Sequence, residues 1–266
     1  MPRLGGRGIG IGTIVIALLA GWIFGINPLT VLGLLSGGDP VAMAPSGQGP
    51  APPPPEGDRA AAFVSTVLRD TELVWGRIFQ ASGGRYQEPR LVLFRGATPT
   101  ACGTGQSAMG PFYCPGDGQV YIDLDFFDTL ARRMGAPGDF AQAYVIAHEI
   151  GHHVQTLLGT SARVRAEGKE KGPTGNAVRM ELQADCYAGV WAAHVKRQGL
   201  LEVGDVEEAL GAAAAIGDDT LQKRAKGRVS PESFSHGTSE QRVRWFKRGM
   251  DGADPKQCDT FAAAEL

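Results

Sequence analysis

Apolar side chains recur every three to four residues in several stretches of the chain, which is the spacing of helices buried on one side. The first stretch, over about residues 59–80, carries Phe63, Val67 and Val74, and Asp58 precedes it as a candidate N-cap. Equivalent patterns predict four more helices, over about residues 139–158, 174–198, 204–226 and 239–250.

Two short apolar runs between Gly and Pro turns predict β-strands, at residues 91–94 (LVLF) and 119–123 (QVYID). A loop that carries Gly and Cys, CGTGQSAMGPFYC, separates the two runs. The elements together predict an α+β domain over residues 59–266, mostly helical with a small β-sheet.

Residues 8–38 contain no charged side chain, and residues 9–26 read IGIGTIVIALLAGWIFGI. A helix needs roughly 20 apolar residues to cross a bilayer, so residues 1–35 predict a cytoplasmic N-terminus and one uncleaved transmembrane helix. A cleaved signal peptide and a buried core helix are the alternatives. The nearest small-x-small sequence, at residues 42–44, is far from the apolar run, which disfavours cleavage.

The charges on either side of this run predict its orientation. Arg3 and Arg7 precede it, and the next basic residue is Arg59. The positive-inside rule therefore places the N-terminus in the cytoplasm and the domain in the periplasm or at the cell surface. Residues 36–58 are rich in Pro and Gly and predict an extended linker.

The formal net charge of −2 argues against a nucleic-acid partner, which needs a strongly basic surface. The four cysteines form no CxxC pair, so a structural zinc ribbon is not expected. In an exported domain we expect two disulfides, with Cys102 paired to Cys114 and Cys186 to Cys258 among three possible connectivities. Four buried free thiols are the alternative.

Residues 148–152 read HEIGH. On a helix, His148 and His152 project from one face and can bind one metal ion, and Glu149 lies close enough to act on a water beside that ion. The alternative is that this sequence arose by chance and that the two histidines are core residues that bind no metal. The residue types in this order favour a catalytic zinc site.

Catalytic zinc usually has three protein ligands, so a further donor is needed. The next long predicted helix is largely apolar but places Glu181 and Asp185 on one face. We expect Glu181 to be the third ligand and Asp185 to orient a ligand histidine. A pairing of these acids with Arg179 or another base is the alternative.

The sequences GPFYC, VYIDLDFF, HEIGHHVQ, ELQADCYAGVWA and SHGTSEQRVRWF together resemble the neutral zinc metallopeptidases of bacteria, over about residues 59–262. The resemblance implies a zincin-like fold, a bound Zn²⁺ and peptidase activity with Glu149 as general base. Related peptidases also have a histidine in a setting similar to Ser235-His236-Gly237, so we expect His236 to stabilise the oxyanion. A structural loop histidine is the alternative.

The expected function is that of a membrane-anchored zinc peptidase that hydrolyses peptide bonds of extracytoplasmic proteins. We expect an extended substrate to pair with the edge of the strand at Val120–Ile122. A non-catalytic envelope scaffold stabilised by zinc is the competing function. A zinc-storage or sensor protein is disfavoured because the chain has no further His or Cys tracts.

Overall fold

The computed structural model describes residues 57–106, 110–168 and 170–266. The predicted cytoplasmic segment, the transmembrane helix and nearly all of the linker lie outside these residues. Among the described residues, none of the helices combines the length and the apolar character that a membrane crossing requires.

The described part of the chain is mostly helical, with a small sheet, as predicted. Its α-helices are α1 (Arg59–Ala81), α2 (Leu124–Arg132), α3 (Asp139–Leu157), α4 (Thr160–Glu167), α5 (Asn176–Arg197), α6 (Asp205–Ala215), α7 (Asp218–Lys226) and α8 (Ser239–Gly252). Its strands are β1 (Arg90–Phe94), β2 (Ala97–Thr100), β3 (Gly103–Gln106), β4 (Phe112–Cys114) and β5 (Gln119–Asp123). Two short 3₁₀ helices cover Pro231–Ser233 and Pro255–Cys258.

Local side-chain chemistry fixes where two of the helices begin. The Asp58 carboxylate accepts hydrogen bonds from the backbone N–H groups of Ala60 and Ala61, at 3.0 and 3.1 Å, and so caps α1 as predicted. Thr238 and Gln241 form a reciprocal capping box at the start of α8. These bonds satisfy N–H groups that a helix start otherwise leaves unpaired.

Helices α3 and α5 form the centre of the domain, and glycines let neighbouring helices approach them closely. A Cβ added to Gly151 of α3 would lie 2.9 Å from the Cα of Ala184 in α5. A Cβ on Gly249 of α8 would collide with the carbonyl of Cys186, and one on Gly189 with that of Phe246. The backbones of α3, α5 and α8 are therefore in near contact, which fixes their relative positions.

The larger sheet has three strands in the order β1-β5-β4. Its central strand, β5, pairs in parallel with β1 and antiparallel with β4. Strands β2 and β3 form a separate hairpin. Strand β4 is thus an edge strand, whereas β5 has a neighbour on each side. The predicted pairing of a peptide with Val120–Ile122 is wrong, since both edges of that strand are already occupied.

Both expected disulfides are present. Cys102 joins Cys114 across 12 residues, and Cys186 joins Cys258 across 72, with Cα–Cα distances of 5.8 and 5.5 Å. The first holds β4 against the hairpin, and the second holds the C-terminal residues against α5. The alternative of four free thiols is excluded.

The helix predicted over residues 204–226 is two helices, α6 and α7. The chain breaks at Gly217, where an added Cβ would collide with the backbone of Ser239 at the start of α8. The short elements α2, α4, β4 and the β2–β3 hairpin were not predicted, because each is shorter than the windows in which periodicity is visible.

Candidate active site

Three side chains from two helices converge on one point. His148 and His152 lie one turn apart on α3, and Glu181 projects toward them from α5. Glu181 Oε2 is 3.3 Å from His148 Nε2, and its Oε1 is 3.6 Å from His152 Nε2. This arrangement brings together the three residues that the sequence predicts as metal ligands.

The other ring nitrogen of each histidine, Nδ1, forms a hydrogen bond with a neighbouring side chain. His148 Nδ1 lies 2.8 Å from Asp185 Oδ1, and His152 Nδ1 lies 2.9 Å from Gln155 Oε1. With Nδ1 of each ring bonded to an acceptor, Nε2 is the atom that each histidine would offer to a metal ion beside Glu181.

This donor set fits zinc. With Zn–N and Zn–O bonds of about 2.0–2.1 Å, neighbouring ligand atoms of a tetrahedral site lie roughly 3.3 Å apart. The distances of 3.3 and 3.6 Å, measured from the two oxygens of the Glu181 carboxylate to the two histidines, are close to that spacing. Three protein donors leave a fourth position open, as catalytic zinc sites do.

Asp185 is the centre of a buried hydrogen-bond network behind His148. Its Oδ1 accepts from the Tyr144 hydroxyl at 2.5 Å and from Arg242 Nη2 at 2.9 Å, and its Oδ2 accepts from Arg242 Nε at 2.9 Å. Asp185 is fully buried and Arg242 is 2% exposed. The network holds His148 in one orientation and joins α3, α5 and α8.

These contacts perturb the protonation of the site residues. Burial lowers the pKa of His148, but the Asp185 and Glu181 carboxylates outweigh it and raise the pKa to about 10. Burial raises the pKa of Glu181, but the two histidines outweigh burial and hold the pKa well below its usual value. Burial also raises the pKa of Asp185, and Arg242 with His148 reverses that shift.

Glu149 is placed as a proton acceptor would need to be. It follows His148 on α3, is 7% exposed, and lines the same cleft as the three donors. Burial raises the pKa of its carboxyl above the usual value, while His152, His148 and a backbone hydrogen bond from Tyr113 act in the opposite direction. A raised pKa brings a carboxylate closer to the pH at which it can both accept and release a proton.

His236 lies at the mouth of the cleft and is held by Asp218 at the start of α7. Asp218 Oδ2 accepts from the backbone N–H groups of Ser235, His236 and Gly237, and its Oδ1 lies 3.3 Å from His236 Nδ1. The hydrogen bond to Asp218 raises the pKa of His236 above its usual value. The contact with Asp218 therefore stabilises the charged form of the ring, in which both nitrogens donate hydrogen bonds.

His153, the third histidine of the HEIGHH sequence, has a structural role. Its Nδ1 lies 3.2 Å from the Tyr113 hydroxyl, and its Nε2 lies 2.6 Å from the Gln87 carbonyl. These bonds connect α3 to β4 and to the segment before β1. The side chain faces away from Glu181, as its position on the helix predicts.

The donors lie in a cleft of about 680 Å³. One wall is the outer edge of β4, which has no further strand beside it in the described part of the chain, with Gly110, Phe112 and Tyr113 among the lining residues. An edge strand offers unpaired backbone groups to an extended chain. The candidate strand for substrate pairing is therefore β4 instead of β5.

The structure places every predicted site residue in or beside this cleft, or in a disulfide. It brings together His148, Glu149, His152, Glu181 and Asp185, while their roles in binding and catalysis stay predictions. Sequence reasoning missed three residues that hold this group, Tyr144, Gln155 and Arg242, and also Asp218, which holds His236. Tyr144 lies one turn before His148 and Gln155 lies three residues after His152, so helical spacing was a usable signal for these two.

The fold and site define a class: an HExxH metalloprotein whose third donor is a carboxylate from a second helix. The family model described as "Putative neutral zinc metallopeptidase" matches residues 2–261, and the chain belongs to this family. The family implies zinc as the metal, in agreement with the donor set.

Two relatives found by sequence are named as uncharacterized proteins. The chain is 51% identical over 270 residues to the uncharacterized protein YpfJ of Escherichia coli strain K12, covering 98% of this chain and 91% of that one. It is 47% identical over 192 residues to an uncharacterized protein of Mycobacterium tuberculosis strain H37Rv, covering 68% and 65%. No solved structure gave a significant match.

Proposed function

We propose that the protein is a membrane-anchored zinc peptidase that hydrolyses peptide bonds of extracytoplasmic proteins. The observation that carries this proposal is the position of Glu149. Its buried carboxylate lies in the same cleft as the His148, His152 and Glu181 donors. A zinc site that only stabilised the fold would need no further carboxylate there, and it would have a fourth protein ligand.

Zinc held by these donors would polarise the scissile carbonyl and acidify a water molecule. Glu149 accepts the proton of the attacking water and later transfers it to the leaving amine. His236, whose pKa is raised by the hydrogen bond to Asp218, donates a hydrogen bond to the oxygen on which negative charge develops. Strand β4 orients the substrate backbone, and the Asp185–Arg242 pair keeps His148 in place.

The sequence outside the described residues supports the location. The uncharged run at residues 8–38, preceded by Arg3 and Arg7, favours an anchor with the domain on the far side of the membrane. Two disulfides fit an oxidising compartment. Alkaline phosphatase fused after residue 266 should be active, since that reporter requires export. An inactive fusion at normal expression would contradict this location.

The test of the activity is Glu149→Gln in the full-length protein, because this change removes the base and retains side-chain size. We expect bound zinc to stay stoichiometric, and hydrolysis of an unstructured protein such as casein to fall at least 10³-fold. Glu240→Gln, an exposed site on α8, is the matched control. If neither wild type nor variant cleaves while both bind zinc, the protein is the non-catalytic scaffold.

A further inference from the structure

The cleft has two chemically different ends, and α3 sets their order. Val145, His148, Glu149 and His152 share one face of this helix and all line the cleft. From the first to the last of them the helix rises about 10 Å. The candidate metal donors therefore lie between a region next to Val145 and a region beyond His152.

The region next to Val145 is apolar. Large side chains from α2, α7 and the adjoining loops line the cleft, and because Met134 precedes the start of α3 we assign them to this end and call it the apolar end: Phe126, Met134, Ile216 and Leu221. Met134 lies five residues before α3 begins, and its carbonyl accepts a hydrogen bond from Arg224 of α7 at 3.0 Å. That bond joins the loop after α2 to α7, and the four side chains give this end an apolar surface suited to a large apolar side chain.

The region beyond His152 is basic. Helix α4 follows the end of α3 after two residues, and together with the next loop it contributes Ser161, Arg165 and Lys171 to the cleft lining, which we call the basic end. Both cationic side chains are exposed. Among the described residues that line the cleft, the acids are Glu149 and Glu181, both at the metal donors. The basic end thus has positive charges without an acidic partner in the lining.

The direction of β4 indicates which end of the cleft receives the N-terminal part of a bound peptide and which end receives its C-terminal part. A Cβ on Gly110, just before β4, would lie 3.0 Å from the ring of Phe126 at the apolar end. Tyr113 lies further along the strand. Its backbone forms a hydrogen bond with the Glu149 carboxyl, and its hydroxyl forms one with His153. Strand β4 therefore runs from the apolar end toward the basic end. An extended peptide that pairs antiparallel, the more stable arrangement, has its N-terminal part at the basic end.

We propose that the cleft selects peptides with an acidic side chain on the N-terminal side of the scissile bond and a large apolar side chain on its C-terminal side. This inference deepens the proposed function and rests on it for the cleavage step. The charge preference concerns binding and holds for a peptide that is not cleaved.

The first experiment reads cleavage sites directly. A terminally blocked peptide library derived from a proteome is incubated with the full-length zinc-loaded protein, and new termini are identified by mass spectrometry. We expect Asp and Glu to be enriched two to four residues before the cut, and Leu, Ile, Met or Phe directly after it. Glu149→Gln should give no new termini. Glu149-dependent cleavage without the acidic enrichment would overturn the inference and leave the proposed function intact.

A charge-reversed variant tests the assignment to named residues. In Arg165→Glu/Lys171→Glu we expect kcat/KM for an acidic peptide to fall about tenfold, because each solvent-exposed ion pair between peptide and protein contributes only a small factor to kcat/KM. We expect kcat/KM for the Lys-substituted peptide to rise. Arg163→Glu is the matched control, since Arg163 lies on the same helix but stacks on Phe261 outside the cleft. An equal response of both variants would contradict the role of the basic end.

A binding measurement separates this inference from the peptidase activity. The Glu149→Gln protein is titrated with two fluorescein-labelled decapeptides that differ only in three Glu or three Lys residues before a central Leu. We expect the Glu peptide to bind at least fivefold more tightly, with a difference that shrinks in 0.5 M NaCl as the charges are screened. This preference without any hydrolysis in wild type would support the inference and reject the peptidase. Equal affinities would overturn the inference.

Discussion

Arg242 and Asp185 form a buried two-point ion pair, with both Nε–Oδ2 and Nη2–Oδ1 distances at 2.9 Å. The pair joins α8 to α5. Asp185 Oδ1, which accepts the hydrogen bond from Arg242 Nη2, also lies 2.8 Å from His148 Nδ1. A charge pair taken out of water contributes little net stability, but removing one partner leaves the other unpaired and buried. The orientation of a candidate metal ligand therefore depends on a residue near the far end of the sequence.

Arg242→Met should lower the free energy of unfolding by about 3–5 kcal/mol, because Asp185 is then buried without a counter-charge. The double variant Arg242→Met/Asp185→Leu should recover a large part of that loss. Urea unfolding followed by circular dichroism measures both. Arg132→Met, in an exposed pair with Asp128, is the control and should change stability by less than about 0.5 kcal/mol. A double variant as unstable as the sum of its single changes would contradict the coupling.

Gln155→Met should weaken zinc binding by about 10–100-fold, because His152 loses the acceptor that holds its Nδ1–H and sets its orientation. Competition with a chromogenic chelator at fixed pH measures the affinity. Gln198→Met, exposed at the end of α5, should bind zinc as tightly as wild type. Unchanged affinity in a folded Gln155→Met protein would show that His152 needs no such support.

Gly151→Ala should destabilise the protein by about 1–3 kcal/mol, because the new methyl group meets the Ala184 backbone at 2.9 Å. It should also weaken zinc binding, since α3 and α5 carry the donors and would be forced apart. Thermal unfolding and chelator competition give the two readouts. Gly76→Ala is the matched control on α1, where an added Cβ meets nothing within 4 Å, and should raise stability by up to about 1 kcal/mol.

The His236–Asp218 pair gives a pH-dependent signal. Asp218 raises the pKa of His236, so the stabilisation from this pair is fully present below about pH 6.5 and is lost as the pH rises through the folded-state pKa. An NMR titration of the His236 ring should give a pKa above 6.5 in wild type and a lower one in Asp218→Asn. The same pKa in both proteins would contradict the pairing. Exposure of the ring to solvent keeps the effect on stability small.

The two disulfides should differ in their contribution to stability. Cys186→Ala/Cys258→Ala opens a loop of 72 residues and should cost roughly 4 kcal/mol, whereas Cys102→Ala/Cys114→Ala opens one of 12 residues and should cost about 3 kcal/mol. Urea unfolding under non-reducing conditions measures each. A larger loss from the short loop would mean that native contacts, and not chain entropy, dominate.

The long helices were predictable because their patterns extend over many turns. Residues 139–158 and 174–198 were predicted, and Asp139–Leu157 and Asn176–Arg197 are observed. The candidate metal donors followed from these helices, since HEIGH fixes two positions and the ExxxD spacing supplies a carboxylate on a buried face.

The rest depends on contacts between distant parts of the chain. Nothing local to residues 204–226 shows that Gly217 must let Ser239 approach, so the break there was missed. The strand order was equally hidden, because β5 becomes central only when β4 folds back on it. Arg242 lies 57 residues from Asp185, and a basic residue on an exposed-looking helix gives no sign of a buried partner.

The C-terminal segment has a consequence for the order in which the protein matures. Gln183 and Arg179 of α5 bond to the carbonyls of Cys258 and Thr260, and Cys186 of the same helix is crosslinked to Cys258. The ribosome makes the chain from its N-terminus, so these partners are made after all three candidate metal donors. The helix that supplies Glu181 can therefore complete its packing only after the C-terminal residues have been made.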